Sequence, residues 1–215
     1  MKYHEVESKI ITHLSEYYGK STSEIGQKFG VNLSPHCKSR CSIISTYMLG
    51  GNGKRITEFD TLGINVKTIR LNQGGKPKDS MSFPALDYCE VSRNDWDDSE
   101  VKRIFSRRFL FLFFDNIQTG EDIFKKAIFW SLEDSTLDSI KEVWLDTKTK
   151  ILNGDYSNFC KIRDGKVVHI RPHAASAADM ALGPDGQKHE KKCFFLGREY
   201  IYSIFISNLN GSTNA

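Results

Sequence analysis

Asn65 and Lys67, two residues apart in the stretch Glu58-Phe59-Asp60-Thr61-Leu62-Gly63-Ile64-Asn65-Val66-Lys67-Thr68, come one substitution short of a hydrolytic centre. Metal-dependent cleavage of a phosphodiester uses an acid on one element and an acid-x-Lys pair on the strand that follows. The carboxylates hold Mg²⁺ against the scissile phosphate, while the lysine orients the attacking water and offsets developing charge. Strand alternation makes that spacing useful, because Ile64 and Val66 turn to one face and Asn65 and Lys67 share the other. In this chain the acid of the pair is an asparagine. Its amide oxygen can coordinate Mg²⁺, but it brings no charge to a hard cation that prefers carboxylates. Glu58 remains as a first acid, and Asp60 is a weak substitute ligand. The outline is that of a nuclease with an impaired catalytic centre.

Other reactive side chains have plainer readings. Lys102, Arg103, Arg107 and Arg108 form a basic cluster that reads as a solvated helix face, with phosphate contacts expected if the domain binds DNA. Lys188, His189, Lys191 and Lys192 make a basic loop of the same two-sided kind. His169 and His173 share strand parity and read as ordinary polar residues rather than metal ligands. The five cysteines are odd in number and irregularly spaced, which excludes a disulfide framework. His36, Cys37 and Cys41 lack a second Cys/His pair at zinc-finger spacing. Gly50-Gly51-Asn52-Gly53 lacks the Lys-Ser/Thr partner of a phosphate loop.

The elements that must position these residues follow from periodicity. Ile10, Ile11, Leu14 and Tyr18 recur at helical spacing, and Gly19 stops that helix. Ser21 or Thr22 caps a second helix running to Lys28, and a third spans Ser34 to Leu49. Two strands, Ile64–Leu71 and Ser80–Leu86, are expected to pair as a hairpin across Asn72-Gln73-Gly74-Gly75-Lys76-Pro77. A short basic helix covers Ser99–Arg108. The apolar run Phe109–Phe114 predicts a strand buried on both faces, with Asp122–Leu132 as its antiparallel neighbour. A helix over Leu137–Leu152, a strand over Val167–Arg171 and a strand-helix unit over Cys193–Phe205 complete the pattern. The fold class is α/β, with helices around a mixed central sheet.

At 215 residues, 39% hydrophobic and 27% charged, the chain is an ordinary globular one, and its net charge of +3 permits a basic face without requiring one. No apolar run approaches the ~18 residues of a membrane span, and Met1-Lys2-Tyr3-His4-Glu5 has no signal-peptide core, so a cytoplasmic location is expected. The expected organisation is one domain over residues 1–206, followed by a polar, flexible tail over 207–215.

From about Ile10 to Phe205 the chain resembles the MutH-like family of GATC-specific endonucleases, which includes a mismatch-repair nicking enzyme and the Sau-type restriction enzymes. Ordered motifs carry the resemblance: Leu62-Gly63-Ile64-Asn65-Val66-Lys67-Thr68-Ile69, Gly75-Lys76-Pro77, Trp96 and Ser99 before a helix, Val168-His169-Ile170-Arg171-Pro172-His173-Ala174-Ala175, and Phe194-Phe195-Leu196. It implies a restriction-endonuclease-like (PD-(D/E)XK) fold. Glu58 then stands for the family's first aspartate, Asn65 for its glutamate and Lys67 for its lysine. A further helix acid falls at Thr46, and an accessory lysine at Ile104 or Phe105. The DNA-reading positions carry over better. Lys38 matches a lysine at the recognition site. Arg171 and Pro172 match a strand-end Arg-Pro, where arginine's fork suits guanine O6 and N7. Phe195 replaces a tyrosine associated with adenine.

This division implies the degraded half of a type IIE GATC restriction enzyme, which binds a second copy of the site as an allosteric effector. Asp79-Ser80-Met81-Ser82-Phe83, Asp95-Trp96-Asp97-Asp98-Ser99-Glu100 and His169-Ile170-Arg171-Pro172-His173 favour that placement. The implied partners are double-stranded GATC DNA and an N-terminal catalytic nuclease domain of the same full-length protein, with no membrane partner. DNA binding in this role needs no cofactor. The rival expectation is a Mg²⁺-dependent GATC endonuclease with a variant site of Glu58, Asn65 or Asp60, and Lys67.

Overall fold

Capping residues punctuate the first part of the chain, and the computed structural model follows them. The structure describes residues 3–34, 36–54, 56–116, 121–176 and 178–210, without the side chains of Tyr3, Glu58, Asp60 and Asn210. Three helices come first, α1 (Tyr3–Ser15), α2 (Thr22–Lys28) and α3 (Arg40–Met48). Ser21 caps α2 reciprocally: its hydroxyl accepts from Glu24 N at 3.1 Å, and its own N–H donates to Glu24 Oε2 at 2.7 Å. α3 begins later than the expected Ser34. Ser34 precedes a proline, which disfavours helix, and its hydroxyl instead accepts from His36 N at 3.2 Å.

The remaining elements are α4 (Thr57–Thr61), β1 (Ile64–Leu71), β2 (Met81–Ala85), α5 (Tyr88–Arg93), α6 (Glu100–Phe105), β3 (Arg108–Asn116), β4 (Asp122–Trp130) and α7 (Asp134–Leu152). They are followed by β5 (Val168–Pro172), β6 (Met180–Leu182), β7 (Lys188–Glu190), β8 (Lys192–Leu196) and α8 (Arg198–Asn210). Ser207 to Asn210, expected as tail, are therefore helical, and residues 211–215 lie outside the described residues. The chain forms two compact units, Met1–Asp79 with Arg107–Ser131 and Ile204–Ala215, and Ser80–Ser106 with Leu132–Ser203.

The first unit is built on the mixed sheet β1-β3-β4, with β1 parallel and β4 antiparallel to the central strand. Phe109 to Phe114 on β3 are all fully buried, as the continuous apolar run predicts. Each such side chain stabilises the fold by about 1.5–3 kcal/mol, which makes β3 the spine of the unit. Leu110, Leu112 and Phe114 join Ile64, Ala127 and the apolar faces of α1, α2 and α3 in one core. Phe109, Phe111 and Phe113 occupy the opposite face, where Phe113 meets Phe205 of α8 at 4.6 Å between ring centroids.

The expected β1–β2 hairpin does not form. After β1 the chain doubles back for a single antiparallel bridge, Leu71 to Pro77, and Lys78 N donates to Arg70 O at 2.8 Å. Pro77 has no N–H with which to continue the ladder. β2 pairs instead with β8 in the second unit, whose sheet β2-β8-β5 is wholly antiparallel. α7 lays Ile140, Val143, Trp144, Thr147 and Ile151 into that unit's interior, with Trp144 5.7 Å from Trp96. β6 and β7 form a separate two-stranded ribbon.

Candidate functional site

The residues expected to carry chemistry divide between the units. Lys38, Glu58, Asn65 and Lys67 belong to the first, and Arg171, Pro172 and Phe195 to the second.

In the first unit, the segment preceding β1 is helical rather than extended. Glu58 and Asp60 lie in the single-turn helix α4, and Gly63, at φ 68°, gives the left-handed turn from α4 into β1. The side chains of Glu58 and Asp60 are outside the described residues. Asn65 and Lys67 are half-buried and pair in register with Phe109 and Phe111, so they share the strand face opposite to Ile64 and Val66. The alternation is as expected. The further positions at which the resemblance implies charge hold other chemistry. Thr46 returns its hydroxyl to Ile43 O at 2.8 Å on α3, and Ile104 and Phe105 of α6 are buried core residues of the second unit. Among the described residues no group of three His, Cys, Asp or Glu side chains could hold a metal ion. The described donors at β1, an amide and an ammonium, are a poor match for Mg²⁺.

Lys38 is exposed, in the loop that leads into α3. Two residues later the chain is anchored by a buried network that no local sequence signal revealed. Arg40 Nη2 and Arg70 Nη2 each donate to Asp122 Oδ2 at 2.9 Å, and Asn116 Nδ2 donates to Asp122 Oδ1 at 3.0 Å. Burial pushes the Asp122 carboxyl up, but the Asn116 and Arg40 hydrogen bonds and the Arg70 charge outweigh it and hold the group below its usual value. Burial likewise pushes the neighbouring Cys41 thiol up to about 12, so it is inert at neutral pH. Arg40 heads α3, Arg70 is on β1 and Asp122 opens β4. The network therefore fixes the loop of Lys38 to the sheet that carries Asn65 and Lys67.

In the second unit, β5 and β8 bring Arg171 and Phe195 together. His169 pairs in register with Phe195, and Arg171 with Cys193. The Arg171 guanidinium lies 4.2 Å from the centroid of the Phe195 ring, and His169 stacks on the same ring at 5.6 Å. Phe195 is buried, so its ring supports Arg171 from beneath. Pro172 is exposed just beyond. His169 is buried with Nε2 lacking a hydrogen-bond partner. Burial first, and then the Arg171 charge, push its pKa down to about 4, so the imidazole is neutral at pH 7. Beside Arg171 opens a cavity of about 470 Å³ to which Lys161, Arg163 and Lys192 also contribute.

The basic clusters are largely paired internally. Lys102 bonds Asp97 at 2.6 Å, Arg103 pairs with Glu100, and Arg108 holds Glu7 through two nitrogens at 2.7 and 2.9 Å. In the basic loop, His189 stacks on Tyr156 at 3.5 Å and bonds Asp185 at 2.8 Å, while Lys191 pairs with Asp179.

Residues 49–142 match the family described as MutH, DNA mismatch repair enzyme MutH. The type II restriction enzyme Sau3AI of Staphylococcus aureus is 27% identical over 90% of this chain and 45% of its own length. The DNA mismatch repair protein MutH of Vibrio campbellii (strain ATCC BAA-1116) is 23% identical over 94% of each chain, and that of Vibrio vulnificus (strain YJ016) is 22% identical over 98% of this chain and 97% of its own. The chain thus spans about half of the Sau3AI protein, at 45%, and nearly all of a MutH, at 94%. With the MutH model matching residues 49–142 and these relatives spanning most of the chain, the chain resembles the MutH/Sau-type family, and its mixed sheet flanked by helices is that of a restriction-endonuclease-like fold.

Proposed function

We propose that this chain is a GATC-recognising double-stranded DNA-binding domain whose catalytic centre is degenerate, acting as the allosteric effector of a type IIE restriction endonuclease. The observation that carries the proposal is the contrast between two strands. β1 keeps Lys67 but presents an amide at Asn65 where a metal carboxylate is needed. β5 presents a guanidinium propped over a buried ring and followed by an exposed proline, a geometry suited to a bidentate contact with a base edge. Binding at this domain would stabilise an active arrangement of a separate catalytic domain, a coupling between two sites. Lys38 supplies a further contact at the recognition site, and no cofactor takes part in the binding.

Arg171→Ala tests the base-reading role. It should cost about 1–3 kcal/mol on a GATC duplex and relax discrimination at one base pair, with little change on a scrambled duplex. An equal loss on both duplexes would remove Arg171 as a reader.

The retained Lys67, on the same strand face as Asn65 and directly after the acid-bearing α4, supports a second reading, a Mg²⁺-dependent GATC endonuclease that uses Glu58 or Asp60 with Asn65. Plasmid cleavage in Mg²⁺ that Lys67→Ala abolishes would establish this reading over the effector one.

A further inference from the structure

We propose that the cavity beside Arg171 seats one phosphate–deoxyribose unit of the DNA backbone, with Lys161 and Arg163 as phosphate ligands and Ile162 and Pro172 against the sugar. The proposal rests on the DNA-binding reading given above and adds a contact that the family resemblance does not supply.

The outer edge of β5 creates the site. Ile170 N donates to Cys160 O at 2.8 Å, so the segment before β5 runs beside the strand that bears Arg171. One side of the opening is fixed by Asp155, whose carboxylate accepts from Ser157 N at 3.0 Å and from Asn158 N at 3.1 Å. Hydrogen bonds from the Asn158 side chain and from Ser157 pull the Asp155 pKa down to about 2, so the accepting carboxylate is ionised near neutral pH. The other side is a single 3-10 turn, Ile162–Asp164, which Asp164 closes by accepting from Lys161 N at 2.8 Å.

Four cations line the cavity, Lys161, Arg163, Arg171 and Lys192, and its lining includes no carboxylate. Lys192 is the inner one. It donates to Tyr156 O at 2.6 Å, lies 5.3 Å from the Phe159 ring centroid and approaches Glu190 at 3.4 Å, so its charge is partly compensated. Lys161 and Arg163 are exposed at the mouth, and between them Ile162 is 58% exposed. Ile162 therefore offers an apolar surface beside two cations. A sugar presents an apolar face next to an anion, and that pairing matches the mouth better than a bare phosphate does. A backbone contact next to a base-reading arginine would fix the register of the duplex without carrying sequence information.

The test uses the full chain and fluorescence anisotropy with GATC and scrambled duplexes over a salt series. The Lys161→Ala/Arg163→Ala double variant should weaken both duplexes by the same factor and flatten log K against log[salt] by about 2, leaving the GATC preference unchanged. Both residues are exposed, so the thermal midpoint should match wild type. Single methylphosphonate substitutions along the duplex locate the contact: at one position, wild type and variant should bind alike. An unchanged salt slope, or convergence at no position, overturns the pocket. Ile162→Ala should weaken binding with no change of slope, and a duplex lacking a single base next to the located phosphate should bind as the intact one. Weakening by loss of that base would overturn the sugar assignment in favour of a base in the cavity. A wild-type chain with no GATC preference but a slope sensitive to Lys161 and Arg163 would remove the recognition reading and leave the pocket standing.

Discussion

At the residue scale, the decisive changes are small. On the proposed reading, an amide at position 65 leaves out a negative charge that a hard cation would need, while a strand in the other unit carries a guanidinium over a buried ring. Strand alternation made the shared face of Asn65 and Lys67 readable from sequence alone, and the register of β1 on β3 agrees. The support beneath Arg171 was not readable. Phe195 lies on a different strand, and only the antiparallel pairing of β5 with β8 brings its ring under the guanidinium. The same pairing buries His169, and the consequence is a pH dependence of known sign. The imidazole titrates near 4 when folded and near 6.5 when unfolded, so between these values the unfolded chain binds the extra proton. Stability is therefore full above about pH 6.5, falls as the pH drops toward 4, and loses up to about 3 kcal/mol on this account. His169→Phe keeps a ring against Phe195 and should flatten that part of the profile. Denaturant melts of both proteins across this range test the point, and an unchanged slope in the variant would assign the dependence to other groups.

At the element scale, local chemistry was legible wherever one element decided its own boundaries. The Ser21 cap of α2, the six-residue apolar run of β3 and the glycine stop at Gly19 all depend on neighbours in sequence. The β1–β2 pairing failed because a turn signal reports only that the chain reverses, and Pro77 ends the ladder after one bridge. The Arg40–Asp122–Arg70 network was hidden for a similar reason: α3, β4 and β1 contribute one residue each, far apart in the chain. Its energetic weight is the larger for being buried. With Asp122 removed, two arginines lose their shared carboxylate, and a broken buried pair costs about 3–5 kcal/mol. Asp122→Asn should lower stability by that order in chemical denaturation and loosen the loop of Lys38, seen as faster amide exchange just before Arg40. A variant as stable as wild type would show that the network is replaceable.

At the scale of the whole molecule, the two units divide the residues expected to carry function. Asn65 and Lys67 stand on the mixed sheet of one, and Arg171 and Phe195 on the antiparallel sheet of the other. The alignment to 45% of Sau3AI and to 94% of a MutH is compatible with a unit that acts alone or as half of a longer enzyme, and the effector proposal takes the second course. Fold class was legible because periodicity and ordered motifs both report on the backbone. Whether the chain cuts was not, because that depends on charges gathered from several elements around one ion.

Recognition without cleavage is tested most directly by titrating this chain into a short GATC duplex and a scrambled one in Mg²⁺ at moderate salt. Anisotropy would follow binding, and strand integrity would be read from the same samples. The account predicts a preference for GATC of at least about 10³-fold with both strands intact. Equal, weak binding to the two duplexes, or cutting at GATC, would contradict it.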